Sequence, residues 1–273
     1  MIEGQILDEI LAAAPAFLLI SVRAFAMMMV APLLNSESIP QVVRLALSGF
    51  AAYACFSSAI VSDWVIAPLG MSFIFLVIGE AIIGIIIGFF LSIIFAAFVT
   101  AGQFFSLQMG FGASETFDPL SQIENPLLGQ YLNTVAMLVF VTIDGFRELF
   151  LGGFWRSLQS INVINLVNGR ETIVSMMMSG LSRLFLDAII ISMPILGTLF
   201  LVSLSTGLIS KAAPQINILS EGFPISIIVA FLTIFAALPF MTEAFGRIIG
   251  SGFRVLHDLY ILIGRRIAEG GVL

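Results

Sequence analysis

His257 is the only histidine in the chain, Lys211 the only lysine and Cys55 the only cysteine. General acid–base catalysis and metal ligation draw heavily on these side chains, so most enzyme readings fail for want of material. No catalytic group, metal site or cofactor is expected, and nothing resembles a phosphate-binding loop. One cysteine excludes an intramolecular disulfide or a thiolate cluster, and Cys55 is expected to pack as a small hydrophobe. What remains is a handful of ions in apolar surroundings: Arg23, Glu80, and the pair Arg183 and Asp187. The pair is spaced i, i+4, which lets the two neutralise one another on one helical face. An ion at membrane depth is expensive unless it faces protein or water. Each of these therefore either ties helices together or lines an aqueous path, and around a midplane site Glu80, Arg183 and Asp187 would be the coupling charges of a secondary transporter.

The elements that must position these charges are helices in a membrane. Of 273 residues, 59% are hydrophobic and 10% charged, where a soluble domain has about a quarter charged. The formal charge of −6 says less than its placement. Glu3, Asp8 and Glu9 make the N-terminal end acidic, while Arg247, Arg254, Arg265 and Arg266 make the C-terminal end basic. By the positive-inside tendency the C terminus faces the cytoplasm and the N terminus the far side. A cleaved signal peptide would begin with basic residues, so the first apolar segment is expected to be retained. Neither end carries a lipidation signal, and no nucleic acid partner is expected.

That first segment, Leu11 to Leu34, is interrupted by Arg23 and followed by a turn at Asn35 to Gln41, where Pro40 biases Ile39 away from helix. A second runs from Val42 to about Val61, and Asp63 and Pro68 break the chain after it. The third, Met71 to Thr100, would be about 45 Å long as one helix, against the roughly 30 Å a span needs. Along it Glu80, Gly84, Gly88, Ser92, Ala96 and Thr100 recur at every fourth position. Such a stripe suits a close helix neighbour crossing at about −40°, either within the chain or on another subunit. Leu127 to Ile143 is a short further segment, closed by Asp144-Gly145. Phe146 to Asn168 mixes charges with aromatics and reads as an interfacial or protein-packed helix. Glu171 to Ser210, about 60 Å as one helix, carries Pro194 as a kink. The polar stretch from Lys211 to Pro224 follows, then the apolar run from Ile225 to about Met241 and an amphipathic tail from Thr242. Two stretches thus share a plan of long helix, Pro-containing polar loop and shorter apolar helix, without matching residue for residue.

Simple threading fails on this count. Six spans starting outside return the C terminus outside, against its arginines. Either the number of spans is odd, or some apolar segments never cross and are covered by other subunits.

One stretch stands apart, Gly102 to Pro126. Phe104, Phe105, Met109 and Phe111 sit among Gly102, Gly110 and Gly112, and beyond Ala113 and Ser114 come Glu115, Asp118 and Glu124 with no Lys or Arg. Bulky apolar side chains are out of place in a solvent loop, and glycines followed by acids are out of place in a membrane helix. Non-helical backbone at that depth survives where protein buries it or where it lines a watery cavity. The stretch is therefore either a constriction loop inside an assembly or a partly buried re-entrant or linker loop.

Lys211-Ala212-Ala213-Pro214-Gln215-Ile216-Asn217-Ile218 followed by Gly222-Phe223-Pro224 resembles the loop signature of the FliR family, the R subunit of the flagellar type III export gate, related to the injectisome SctT family. Arg23 with Pro32, Ile39-Pro40 with Arg44, Ala101-Gly102-Gln103 and Asp118-Pro119 resemble that family in the same order. One position departs from it: Phe146 stands after Asp144-Gly145, where members of the family often have histidine. The resemblance implies an all-α membrane protein, a P-type unit (1–170, with the loop at about 102–126) fused to a Q-type helical hairpin (171–273). It implies one copy in a helical assembly with P, Q and B subunits (FliP, FliQ, FlhB) in the bacterial inner membrane, conducting unfolded export substrates. The family's plug loop falls at about Phe104 to Ser114. The hairpin's loop, with Lys211, Pro214, Gln215, Asn217, Gly222 and Pro224, falls on the cytoplasmic side.

Overall fold

The computed structural model describes residues 2–36, 38–56, 70–110, 127–163, 166, 169–212 and 218–270. Those residues are helical nearly throughout, with no strand among them. In order they form α1 (Ile2–Val30), α2 (Gln41–Phe56), α3 (Met71–Met109) and α4 (Leu127–Thr142). A bent segment follows: α5 (Gly145–Arg147), a π-helix (Glu148–Trp155) and α6 (Arg156–Ser160). The chain then forms α7 (Arg170–Ala212) and α8 (Ile218–Gly270).

Several boundaries depart from the sequence reading. Helix α3 does not stop at Thr100 but runs 39 residues to Met109, about 58 Å. Gly102 does not break it, because that glycine serves packing: a Cβ there would collide with the backbone of Leu128 and Gly129 on α4. The stretch from Lys211 to Pro224 is likewise more helical than expected. Lys211 belongs to α7, and Gly222 and Pro224 lie inside α8. The apolar run and the amphipathic tail are one 53-residue helix, with Pro224 and Pro239 within it.

The chain divides into two compact units. The first comprises Met1–Ile93, Asp144–Gly180 and Ser251–Leu273, and the second Ile94–Ile143 and Leu181–Gly250. In the first, α1 and α2 pack together with Phe17 edge-on to Phe56 at 6.2 Å. The second has an aromatic centre, where Phe95 meets Phe98 and Phe140 edge-on at 5.9 and 5.7 Å and Phe98 lies 4.6 Å from Phe245. Edge-on rings pair the positive rim of one with the negative face of another, which adds to the gain from burial.

Four helices among the described residues are long and apolar enough to cross a membrane: Ala13–Val30, Met71–Met109, Arg170–Ala212 and Gly222–Ile263. They differ in how far the chain itself covers them. In its apolar window α3 is 61% buried, whereas the last two are 28% and 17% buried. Phe200, Leu204 and Leu208 on α7 and Phe231, Leu232 and Phe235 on α8 are all exposed. That apolar surface is left uncovered by the described residues.

Candidate functional site

The first unit is built around Arg23. Its helix, α1, carries the guanidinium into the interior, where Nε donates to Oε2 of Glu80 on α3 at 2.5 Å. Nη1 donates to Ser157 Oγ at 3.1 Å and Nη2 to the Ile161 carbonyl at 2.9 Å. Arg23 is fully buried and Glu80 2% exposed. Each charge alone would be untenable there, and the pair stands because its hydrogen bonds are also met. Of the alternatives open to Glu80, pairing with an arginine is the one found.

The stripe on α3 explains why the two helices come close enough. A Cβ on Gly84 would meet the Arg23 carbonyl, and one on Gly88 the Met27 carbonyl at 2.6 Å. One turn further Ser92 Oγ donates to the Val30 carbonyl at 2.8 Å. The small-residue face from Glu80 to Ser92 is thus occupied by α1 of the same chain. Arg183 and Asp187 lie on α7 in the second unit, Nε to Oδ2 at 3.8 Å with the arginine half exposed. That is a local pair on one helix, loose enough to contribute little.

Two stretches singled out in the sequence meet in the second unit. Helix α3 ends with Phe105 and Met109 fully buried and Phe104 half-buried. Gly110 then turns the chain at φ +91°, with its N–H on the Leu107 carbonyl at 3.1 Å. A side chain is strained at that φ, and a Cβ would also run into the ring of Phe223, the centre of the Gly-Phe-Pro motif. Phe111, Gly112, Ala113 and Ser114 lie outside the described residues, as do Pro214, Gln215 and Asn217. Lys211 is exposed at the end of α7, Gly222 half-buried and Pro224 exposed.

The sequence reading missed the π-helix. Over Glu148–Trp155 the backbone widens, and the Gly153 carbonyl accepts from both the Arg156 N–H and Tyr260 Oη, the latter at 2.9 Å. The only available signal was the pair Gly152-Gly153, which weakens α-helical preference. Beside it the Arg156 guanidinium lies against the ring of His257, Nη1 to Nδ1 at 2.5 Å. Among the described residues no three His, Cys, Asp or Glu side chains are grouped to hold a metal ion.

The architecture defines a class: an all-helical membrane protein knit internally by a buried ion pair, with long apolar helices that the described residues leave largely uncovered. Comparison with known proteins places it within that class. The chain matches the family model for bacterial export proteins, family 1, over residues 14–252. It is 27% identical over 260 residues to the flagellar biosynthetic protein FliR of Bacillus subtilis (strain 168), covering 94% of this chain and 99% of that protein. Against the FliR protein of Borreliella burgdorferi it is 33% identical over 204 residues, 74% of this chain and 76% of that protein. The surface presentation of antigens protein SpaR of Shigella sonnei is 29% identical over 165 residues, 59% and 61% of the two chains. The chain belongs to this family of bacterial export proteins, among the FliR proteins. It is a component of the flagellar export apparatus and resides in the inner membrane.

Proposed function

We propose that the chain is a core subunit of the flagellar type III export gate, lining part of the passage for unfolded export substrates and supplying the plug that closes it. The observation that carries this reading is the end of α3. Bulky apolar side chains, Phe105 and Met109, lead directly into a glycine at φ +91°, a backbone conformation that glycine adopts without strain. Hydrophobic constrictions close passages by excluding water and ions, and glycine lets such a backbone swing aside. Within the proposed plug, Phe104 to Ser114, the buried Phe105 and Met109 brace the base. Removing Gly110 to Ser114 is expected to leave the complex assembled and to make cells leak small ions; unchanged permeability in an assembled deletion complex would defeat the assignment.

In this reading residues 1–170 are the P-like unit and 171–273 the Q-like hairpin. The uncovered faces of α7 and α8 meet FliP and FliQ subunits, FlhB docks near the cytoplasmic entrance, and the driving energy comes from elsewhere in the apparatus. The competing transporter reading gains nothing from the geometry. Glu80 is already neutralised by Arg23, and Arg183 and Asp187 face each other along one helix.

A further inference from the structure

We propose that Arg44 binds the phosphate of an anionic phospholipid whose acyl chains lie along the outer face of α2. Compared with a helix in water, α2 is turned inside out. It buries Arg44, Ser48, Ala51 and Ala52, while Val42, Leu45, Phe50 and Tyr53 are each at least 61% exposed. Arg44 itself is only 6% exposed. Its Nη2 donates to the Ser36 carbonyl at 2.6 Å and its Nη1 to Met29 Sδ at 3.5 Å, whereas the buried Nε finds no acceptor among the described residues. A carbonyl and a thioether are both neutral, and the ion pairs formed among the described residues do not include Arg44. Arg23, buried in the same unit, has Glu80 as its counter-ion. A buried guanidinium with an idle N–H and no such partner calls for an oxyanion.

The surroundings favour a lipid as the source of that oxyanion. The guanidinium lies beneath the turn joining α1 to α2, where Asn35, Ser36 and Ser38 are exposed and polar, as suits the headgroup level. The same end is the N-terminus of α2, whose first turn holds no acid, so the helix dipole adds to the attraction for an anion. From there the exposed apolar face runs from Val42 to Tyr53, about 17 Å of helix. The hydrocarbon of one leaflet is roughly 15 Å deep. Within that face Gly49, one turn from both Leu45 and Tyr53, has nothing within 4 Å of where a Cβ would stand, which leaves room for a chain. A phosphate held at the turn therefore places its acyl chains beside apolar side chains of matching extent. A carboxylate from a partner helix would satisfy Arg44 but gives no account of the length of that face.

The test places the assembled complex in nanodiscs with phosphatidylglycerol carrying a photoreactive acyl chain, and reads labelling of the peptide that spans α2 by mass spectrometry. Labelling in Arg44→Gln is expected to fall about tenfold, the effect of losing one charge-assisted hydrogen bond. Arg44→Lys, which keeps the charge, is expected to retain most of it. Photoreactive diacylglycerol with the same chains and no phosphate should label wild type as weakly as phosphatidylglycerol labels Arg44→Gln. Equal labelling of wild type and Arg44→Gln, or of wild type by the two lipids, would overturn the proposal. Should Arg44→Gln not assemble, the two lipids on wild type decide alone. If neither labels α2 in wild type, a partner chain covers the face and the proposal is wrong. Excess inorganic phosphate is expected to leave labelling unchanged; displacement would show that the site takes a free anion instead. Glu37→Gln is also expected to change nothing, and a rise in labelling would mean that this acid neutralises Arg44, against the proposal.

Discussion

Arg23 on α1 and Glu80 on α3 form an ion pair at 2.5 Å with side chains 0% and 3% exposed, deep in the first unit. Their burial sets the sign of a mutation series. Glu80→Gln leaves the guanidinium uncompensated and is expected to cost about 3–5 kcal/mol, whereas Arg23→Met with Glu80→Met should cost less than either single change. Denaturant unfolding of the chain in its detergent-solubilised complex checks this, and a cycle showing no coupling between the two positions would contradict it.

Close approach of the same helices makes Gly84 and Gly88 intolerant. Gly84→Ala drives a methyl into the Arg23 carbonyl and is expected to destabilise by about 1–3 kcal/mol. Gly49→Ala on α2 meets nothing within 4 Å and should be neutral or stabilising by roughly 0.5–1 kcal/mol. Side-by-side unfolding of the two variants separates a steric effect from general loss of glycine.

Cys55, on α2 outside the four apolar spans, is pushed from 9.0 up to about 11 by burial. The folded state thus favours the neutral thiol. This contribution to stability is fully present below pH 9.0 and is lost as pH rises through about 11. The thiolate is the reactive form, so alkylation at pH 8 should be about 100-fold slower in the folded chain than in the unfolded one. The difference should shrink as pH approaches 11, which a labelling series by mass spectrometry reads directly.

Tyr260 holds the π-helix through the Gly153 carbonyl. Tyr260→Phe removes one buried hydrogen bond, worth about 1 kcal/mol. Faster amide exchange across 148–160, with the rest of the first unit unchanged, is the expected signature.

Much of this was legible in advance because it depends on periodicity. The stripe of small residues at every fourth position marked a face for close helix contact, though not that α1 of the same chain would fill it, and the i, i+4 spacing of Arg183 and Asp187 marked their pairing. Asp144-Gly145 does close α4, with Asp144 at φ 57°, a conformation Asp tolerates better than most residues. The partner of Arg23 was not legible, because choosing Glu80 over a more distant acid depends on how α1 and α3 cross. The helical run through Gly102 was misread for a related reason. Glycine signals either a break or a close contact, and only the presence of Gly129 opposite decides which. The meeting of Gly110 with Phe223 joins residues 113 positions apart, beyond the reach of any local pattern.

Whether the uncovered helices belong to a mixed assembly is settled most directly by purifying the chain from its native membrane under mild detergent and measuring the mass and subunit identities of what comes with it. The account predicts one copy bound to several different, mostly helical partner chains, and poor survival of the chain alone. A stable monomer or homo-oligomer that accounts for all of the purified protein would contradict it.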